Sequence, residues 1–290
     1  MELVHVEGLN CYHSCIINAA NLLGAGYLPA FGSLWSEHEF AYDGRFKLYL
    51  SKRMALGLEA SGVCWARAAC FSPEDGQRQF DGLEAGEWFV AGMDAFYMPW
   101  NEYYQTLNGA HYFFGQKTGE DRIRGFDPSD QIREIRIAPR EILPYVFDFI
   151  KFTKIEKGDS AGIQQGIPSE ARAVQGALPG LRSRLAAELM DCTAGERGKA
   201  ARLAKYTDAL YGNRCLFRHY LQKQPDCPAV LTRLFSDGFL RQWGSLKYGL
   251  YKISLLAENH GMCRELRGVL WDLLTAEILA AEKMIGMDFP

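Results

Sequence analysis

The sequence predicts an α+β fold, with an N-terminal helix, a series of strands that includes a hairpin, and a helical bundle after them. Three observations carry this. Residues 10–23 combine a capping side chain with a helix-length apolar segment, and residues 86–127 contain three strand-like runs in close succession. Beyond about residue 160, Ala, Leu, Arg and Glu dominate, and apolar residues recur every three or four positions.

Taken in order, Asn10 caps a helix within GLNCYHSCIINAANLLG, running to about Leu23. A loop-rich segment carrying Phe31, Trp35, Phe40 and Tyr42 follows. The runs GEWFVAGMD (86–94), AHYFFGQ (110–116) and DRIRGFD (121–127) read as strands, and the Thr-Gly-Glu between the last two makes them a hairpin. REIRIAP (133–139) reads as another strand, PREILPYVFDFI (139–150) as a short helix with Pro139 in its first turn, and KFTKIEK (151–157) as a closing strand. The polar, Gly- and Pro-bearing EKGDSAGIQQGIPSE (156–170) reads as a linker, dividing the chain into domains at 1–160 and 161–290. Helices are expected over 169–191, 196–223, 228–259 and 262–286. Trp243, Tyr248, Tyr251 and Leu255 fall near one helical face and read as a core stripe, with a groove for a partner or substrate tail as the alternative.

Composition narrows the function classes. Lys and Arg number 32 against 35 Asp and Glu, for a net charge of −3, and no basic run suggests nucleic acid. With no apolar run of membrane-spanning length and no secretory pattern, the expectation is a cytoplasmic protein without a membrane partner. Eight cysteines spread over 290 residues lack the density of a disulfide scaffold, so most should be free thiols.

Cys11 opens the first helix, where backbone N–H groups and the helix dipole favour a negative sulfur, and so it reads as a nucleophile. A nucleophilic thiol needs a base to take its proton and a third group to orient that base. His111 begins the first hairpin strand and Asp127 ends the second, so antiparallel pairing brings them to one end of the sheet. Cys15, one turn further on among Ile16, Ala19 and Leu22, is the rival nucleophile but reads as core packing. A zinc site from Cys11, His13 and Cys15 would lack a second ligand pair, and His13, on another face, reads as a surface residue, so no metal is expected. The remaining six cysteines read as structural, and Asp94 either caps a turn or takes part in chemistry.

The stretches NCYHSCIINAANLLG, VAGMDAFYMPW and NGAHYFFG…GFDP resemble the papain-like superfamily, in its bacteriocin-leader-peptidase branch and more closely the butirosin-biosynthesis-protein-H N-terminal-like family. The resemblance covers about residues 5–155. It implies a papain-like fold with Cys11 as nucleophile, His111 as base and Asp127 as orienting residue, and with Asp94 and Tyr97 near the cleft. Papain-like enzymes often carry Gln six positions before the cysteine; His5 stands there, so the oxyanion hole would combine the Cys11 N–H with His5 or another donor. The resemblance further implies acyl transfer in natural-product assembly, from a phosphopantetheine thioester on an acyl or peptidyl carrier protein to a small-molecule or peptide amine. No cofactor is implied beyond that arm on the partner. A cysteine peptidase or amidase is the alternative activity, and a non-catalytic binding module the alternative class. The C-terminal helices would choose the substrate or join two copies as a homodimer.

Overall fold

The computed structural model describes residues 3–44, 48–128, 133–156, 166–192, 197–256 and 260–286. Helices α1 (Cys11–Leu22) and α2 (Leu28–Phe31) open the chain, and strands β1 (Ala41–Asp43) and β2 (Leu48–Leu50) form a small hairpin. Then come α3 (Lys52–Ala60), β3 (Val63–Ala69), α4 (Pro73–Asp81), β4 (Trp88–Asp94) and a 3-10 turn at Ala95–Tyr97. Strands β5 (Ala110–Gly119), β6 (Arg122–Asp127) and β7 (Arg133–Ile137) follow; α5 (Pro139–Ile142) and a second 3-10 turn at Leu143–Tyr145 lead into β8 (Val146–Lys154). The rest is helical: α6 (Ile167–Met190), α7 (Arg197–Gln222), α8 (Ala229–Leu234), α9 (Asp237–Leu255) and α10 (His260–Ile285). The architecture is therefore α+β with an antiparallel sheet and a helical C-terminal region, and among the described residues no helix is long and apolar enough to cross a membrane. Most of the expected linker, residues 157–165, lies outside the described residues.

Two compact units divide the chain: Met1–His5, Leu9–Tyr27 and Leu58–Gly158 in the first, and Val6–Gly8, Leu28–Gly57 and Asp159–Pro290 in the second. The boundary near 160 is thus one of several crossings, and the aromatic segment expected within 1–160 belongs with the helices.

In the first unit, β3 to β8 form one sheet in the order β3-β8-β4-β5-β6-β7, every neighbouring pair antiparallel. Residues 139–150 do not form the expected single helix. Helical geometry stops at Tyr145, after Pro144, and the alternating aromatic run from Val146 becomes an interior strand bonded to β3 on one side and β4 on the other. Ladder pairing on both edges outweighs the weak helical signal of PREIL. One face of the sheet carries Phe89, Phe113, Phe149 and Met93, fully buried, with Phe89 stacked on Phe149 at 4.9 Å. Lys117 of β5 is buried, and its Nζ donates to the carbonyls of Phe80, Asp81 and Leu83, where a cation complements the exposed C-terminal carbonyls of α4.

Helix α1 lies against β5 and β4 and is buried without interruption from Tyr12 to Ala20. The expected surface position of His13 is therefore corrected: it is buried, and desolvation lowers its pKa to about 4, so it is neutral. Asn18 is fully buried too, with its amide bonded to both backbone groups of Val4 and to the Ser14 carbonyl.

In the second unit, Gly8 takes φ +97°, and a Cβ there would stand 2.6 Å from the Gly212 carbonyl oxygen; this close approach ties Val6–Gly8 to α7. Glu37 accepts from Ser51 Oγ, from the backbone N–H groups of Lys52 and Arg53 at the start of α3, and from Asn213 of α7. At the centre, Arg214 and Glu277 form an ion pair with neither side chain exposed. Arg214 donates to Glu277 through Nε (3.1 Å) and Nη2 (2.9 Å), while Trp35 and Trp243 donate their indole N–H groups at 3.1 and 3.2 Å. Each carboxylate oxygen thus has two donors.

Helix α9 differs from expectation in two ways. The run 228–259 breaks at Phe235–Ser236, where Ser236 is extended and starts a new helix. The core face is Leu240, Trp243, Leu246, Leu250 and Ile253, so Tyr248, Tyr251 and Leu255 are exposed rather than part of a core stripe.

Removing the cation from a buried, fully bonded pair leaves an uncompensated charge. Arg214→Met is expected to cost about 3–5 kcal/mol of stability in urea unfolding. Adding Glu277→Leu should restore only part of it, because two buried indole donors then lack an acceptor.

Candidate active site

Asn10 has extended backbone (φ −76°, ψ 169°), and its side-chain oxygen accepts from the His13 N–H at 2.8 Å, so the helix starts at Cys11 as expected. Cys11 is partly exposed. Being the first helical residue, it has no intrahelical acceptor for its own N–H, which makes that group an available donor for developing negative charge.

His111 is the second residue of β5, opposite Met93 of β4, and Asp127 is the last of β6. The pairing of Phe114 with Phe126 places His111 and Asp127 at the same end of the sheet and on the face opposite those two rings. His111 Nε2 lies 2.9 Å from Asp127 Oδ2, and His111 also hydrogen-bonds the Cys11 side chain. With Nε2 committed to Asp127, Nδ1 is the nitrogen left for sulfur. The structure thus brings the three expected residues together.

Burial works against the imidazolium, but the hydrogen bonds to Asp127 and Cys11, reinforced by their charges, raise His111 from 6.5 to about 10. Cys15 is fully buried, and desolvation, with the charges of Cys11 and Asp127, pushes its thiol well above the ordinary value. It is an unreactive thiol at neutral pH.

Trp100 was not singled out by the sequence reading. Its indole N–H donates at 3.0 Å to Asp127 Oδ2, the oxygen that also meets His111, and its ring packs edge-on against Phe113 at 5.4 Å. A tryptophan soon after a strand signals a large ring seeking an N–H partner, but not which carboxylate it will find.

A second set of contacts aligns α1 with β5. Tyr12 and Tyr112, the chain neighbours of Cys11 and His111, meet edge to face with ring centres 5.0 Å apart. The Tyr112 hydroxyl donates at 2.9 Å to Asp148, which is 2% exposed and also accepts from Arg67 Nε at 2.7 Å. Burial and the Asp148 charge push the Tyr112 hydroxyl far above its usual range, so it stays a donor.

The other expected residues fall differently. Asp94 acts as a cap: its Oδ1 accepts from the N–H groups of Phe96 (3.1 Å) and Gly109 (2.9 Å), closing the base of the loop between β4 and β5. Tyr97 is half exposed and stacked on Tyr145. His5 is exposed in the extended segment before α1, beside Val4, which Asn18 holds two turns along the helix from Cys11. Among the described residues, no group of three or more His, Cys, Asp or Glu is placed to hold a metal ion.

No family model matches this chain, and no curated protein matches its sequence.

The raised His111 has a measurable consequence. Asp127→Asn removes the anionic acceptor, so the His111 midpoint followed by NMR should fall from near 10 toward or below 6.5. In stability terms, wild-type His111 contributes fully below pH 6.5 and loses its contribution as pH rises through about 10; the variant should lack this alkaline loss.

Proposed function

We propose that the chain is a cysteine-nucleophile acyltransferase of papain-like type, taking an acyl group from a carrier-protein thioester onto Cys11 and delivering it to an amine. The observation that carries this is the Cys11–His111–Asp127 arrangement, with the thiol at a helix start and the base already oriented. In the first step the thiol proton already lies on His111, and the Cys11 sulfur attacks the thioester carbonyl. A C–S bond to Cys11 forms, the C–S bond to the phosphopantetheine arm breaks, and the departing sulfur takes the proton from His111. In the second step an amine nitrogen attacks the acyl-enzyme carbonyl and gives a proton to His111. The C–N bond forms, the C–S bond to Cys11 breaks, and the proton stays on His111, which restores the starting pair.

Two features support the sequence of steps. Acylation removes the hydrogen bond and charge by which Cys11 helps to raise His111, so its pKa falls and more of the imidazole is neutral and able to take the amine's proton. The Cys11 backbone N–H, at the positive end of α1, faces the charge that develops on the carbonyl oxygen.

Incubated with an acylated carrier protein or a short acyl thioester, the wild-type chain should gain the acyl mass, with Cys11 as the modified residue in peptide mapping. Cys11→Ala should gain none, and His111→Ala should acylate at least about 100-fold more slowly. Unchanged labelling of Cys11→Ala would sink the proposal, and release of free acid at the same rate with and without amines would mark a hydrolase instead. Trp100→Phe, which leaves Asp127 with one donor fewer, should slow acylation about tenfold while the modified residue remains Cys11.

A further inference from the structure

The loop between β4 and β5 leaves and returns at the end of the sheet that carries the triad, since Asp94 pairs with Ala110, the residue before His111. It is held in one shape. Asp94 closes its base, the Ala95 N–H donates to the Gly109 carbonyl at 2.7 Å, the Gln105 N–H donates to the Phe96 carbonyl at 3.0 Å, and Trp100 bonds Asp127. Gln105 takes φ +55°, the only non-glycine residue among those described with positive φ.

This well-braced loop nonetheless presents large apolar side chains to solvent. Tyr97, Tyr103 and Tyr104 are 40%, 44% and 39% exposed, and every residue from Glu102 to Ala110 is exposed. Tyr97 lies against Tyr145 with ring centres 4.1 Å apart and planes 7° from parallel. Tyr145 immediately precedes Val146, the residue of β8 paired with Met93 at this same end of the sheet. Charge is equally one-sided: residues 95–110 contain one carboxylate, Glu102, and neither Lys nor Arg. Aromatic faces with a carboxylate, on a loop that carries no Lys or Arg of its own, attract positively charged organic groups, by ring quadrupole and by Coulomb attraction together.

We infer that this loop, with Tyr145, is the acceptor subsite, and that it takes an organic cation: an amine substrate whose body carries a positive charge besides the nitrogen that reacts. The assignment rests on the transfer reading for its role, but the recognition itself needs no turnover.

The test uses the full-length Cys11→Ala protein and two probes of equal shape, choline and its uncharged analogue 3,3-dimethyl-1-butanol, with binding followed by NMR titration. Choline should bind about tenfold more tightly than the alcohol. Glu102→Gln and Tyr145→Ala, both exposed changes, should each reduce that preference to about threefold or less, with the thermal midpoint checked alongside. Equal binding of the two probes, binding of neither, or a preference unchanged in both variants would overturn the inference. A chain that prefers choline through these residues but never acylates Cys11 would refute the transfer reading alone. One that acylates Cys11 and shows no preference would refute the subsite alone.

Discussion

An Asp127 carboxylate with little contact with water can keep its charge only if its lone pairs are met, and one oxygen is met by donors from two different elements. His111 approaches along β5 and Trp100 from the loop above it. This one requirement fixes the imidazole ring, turns its remaining nitrogen toward Cys11, and pins the aromatic loop over the same end of the sheet. The Tyr12–Tyr112 contact supplies the other half of the alignment, because the two rings are the chain neighbours of Cys11 and His111. A shift of α1 along β5 would have to break that packing and disturb the Tyr112–Asp148–Arg67 chain beneath it.

The same device serves a different end in the helical unit. Glu277, like Asp127, is a buried carboxylate under tryptophan N–H donors, but its remaining partner is an arginine, which stays charged across the accessible pH range. Every lone pair there is taken and nothing is left to react, so the result is a structural lock joining α7, α9, α10 and the Trp35 segment. In the sheet unit the corresponding partner is a histidine that can gain and lose its proton, with a second nitrogen turned to a thiol. Under the proposed function, replacing a permanent cation by a titratable one converts a clamp into an acid–base centre.

Local signals were legible in the sequence where they were strong. Asn10 marked the helix start, the 110–127 hairpin placed His111 and Asp127 together, and the long helices of the second half matched their apolar period. What escaped was set by tertiary context. VCWARAA shows no alternation because it is an edge strand with mixed burial, and it pairs only with β8, distant in sequence. PREILPYVFDFI has a helical beginning and becomes a strand because two neighbours compete for its backbone. His13 looked exposed because amphipathic logic assumes a helix with a wet side, and α1 has none from Tyr12 to Ala20. On α9 the core stripe included Trp243 but continued through Leu246 and Leu250 rather than Tyr248 and Tyr251. His5 is exposed in the segment before α1, and Cys11 is the first residue of that helix.

The distinction between transfer and hydrolysis does not lie in the triad, whose chemistry with an acyl group is the same for either acceptor. Water is always present at the carbonyl, so an amine prevails only by being held there, which converts an encounter in solution into a reaction within one complex. The groups that decide the outcome must therefore border the thiol without taking part in its proton transfers. Under the proposed function that description fits the braced aromatic loop: it shares Asp127 with His111 through Trp100, yet its outward rings and Glu102 have no part in orienting His111. Under the proposed function, acceptor choice can change by substitution of the outward residues Tyr97, Glu102, Tyr103 and Tyr104 without disturbing the thiol, the imidazole or the buried carboxylate that aligns them.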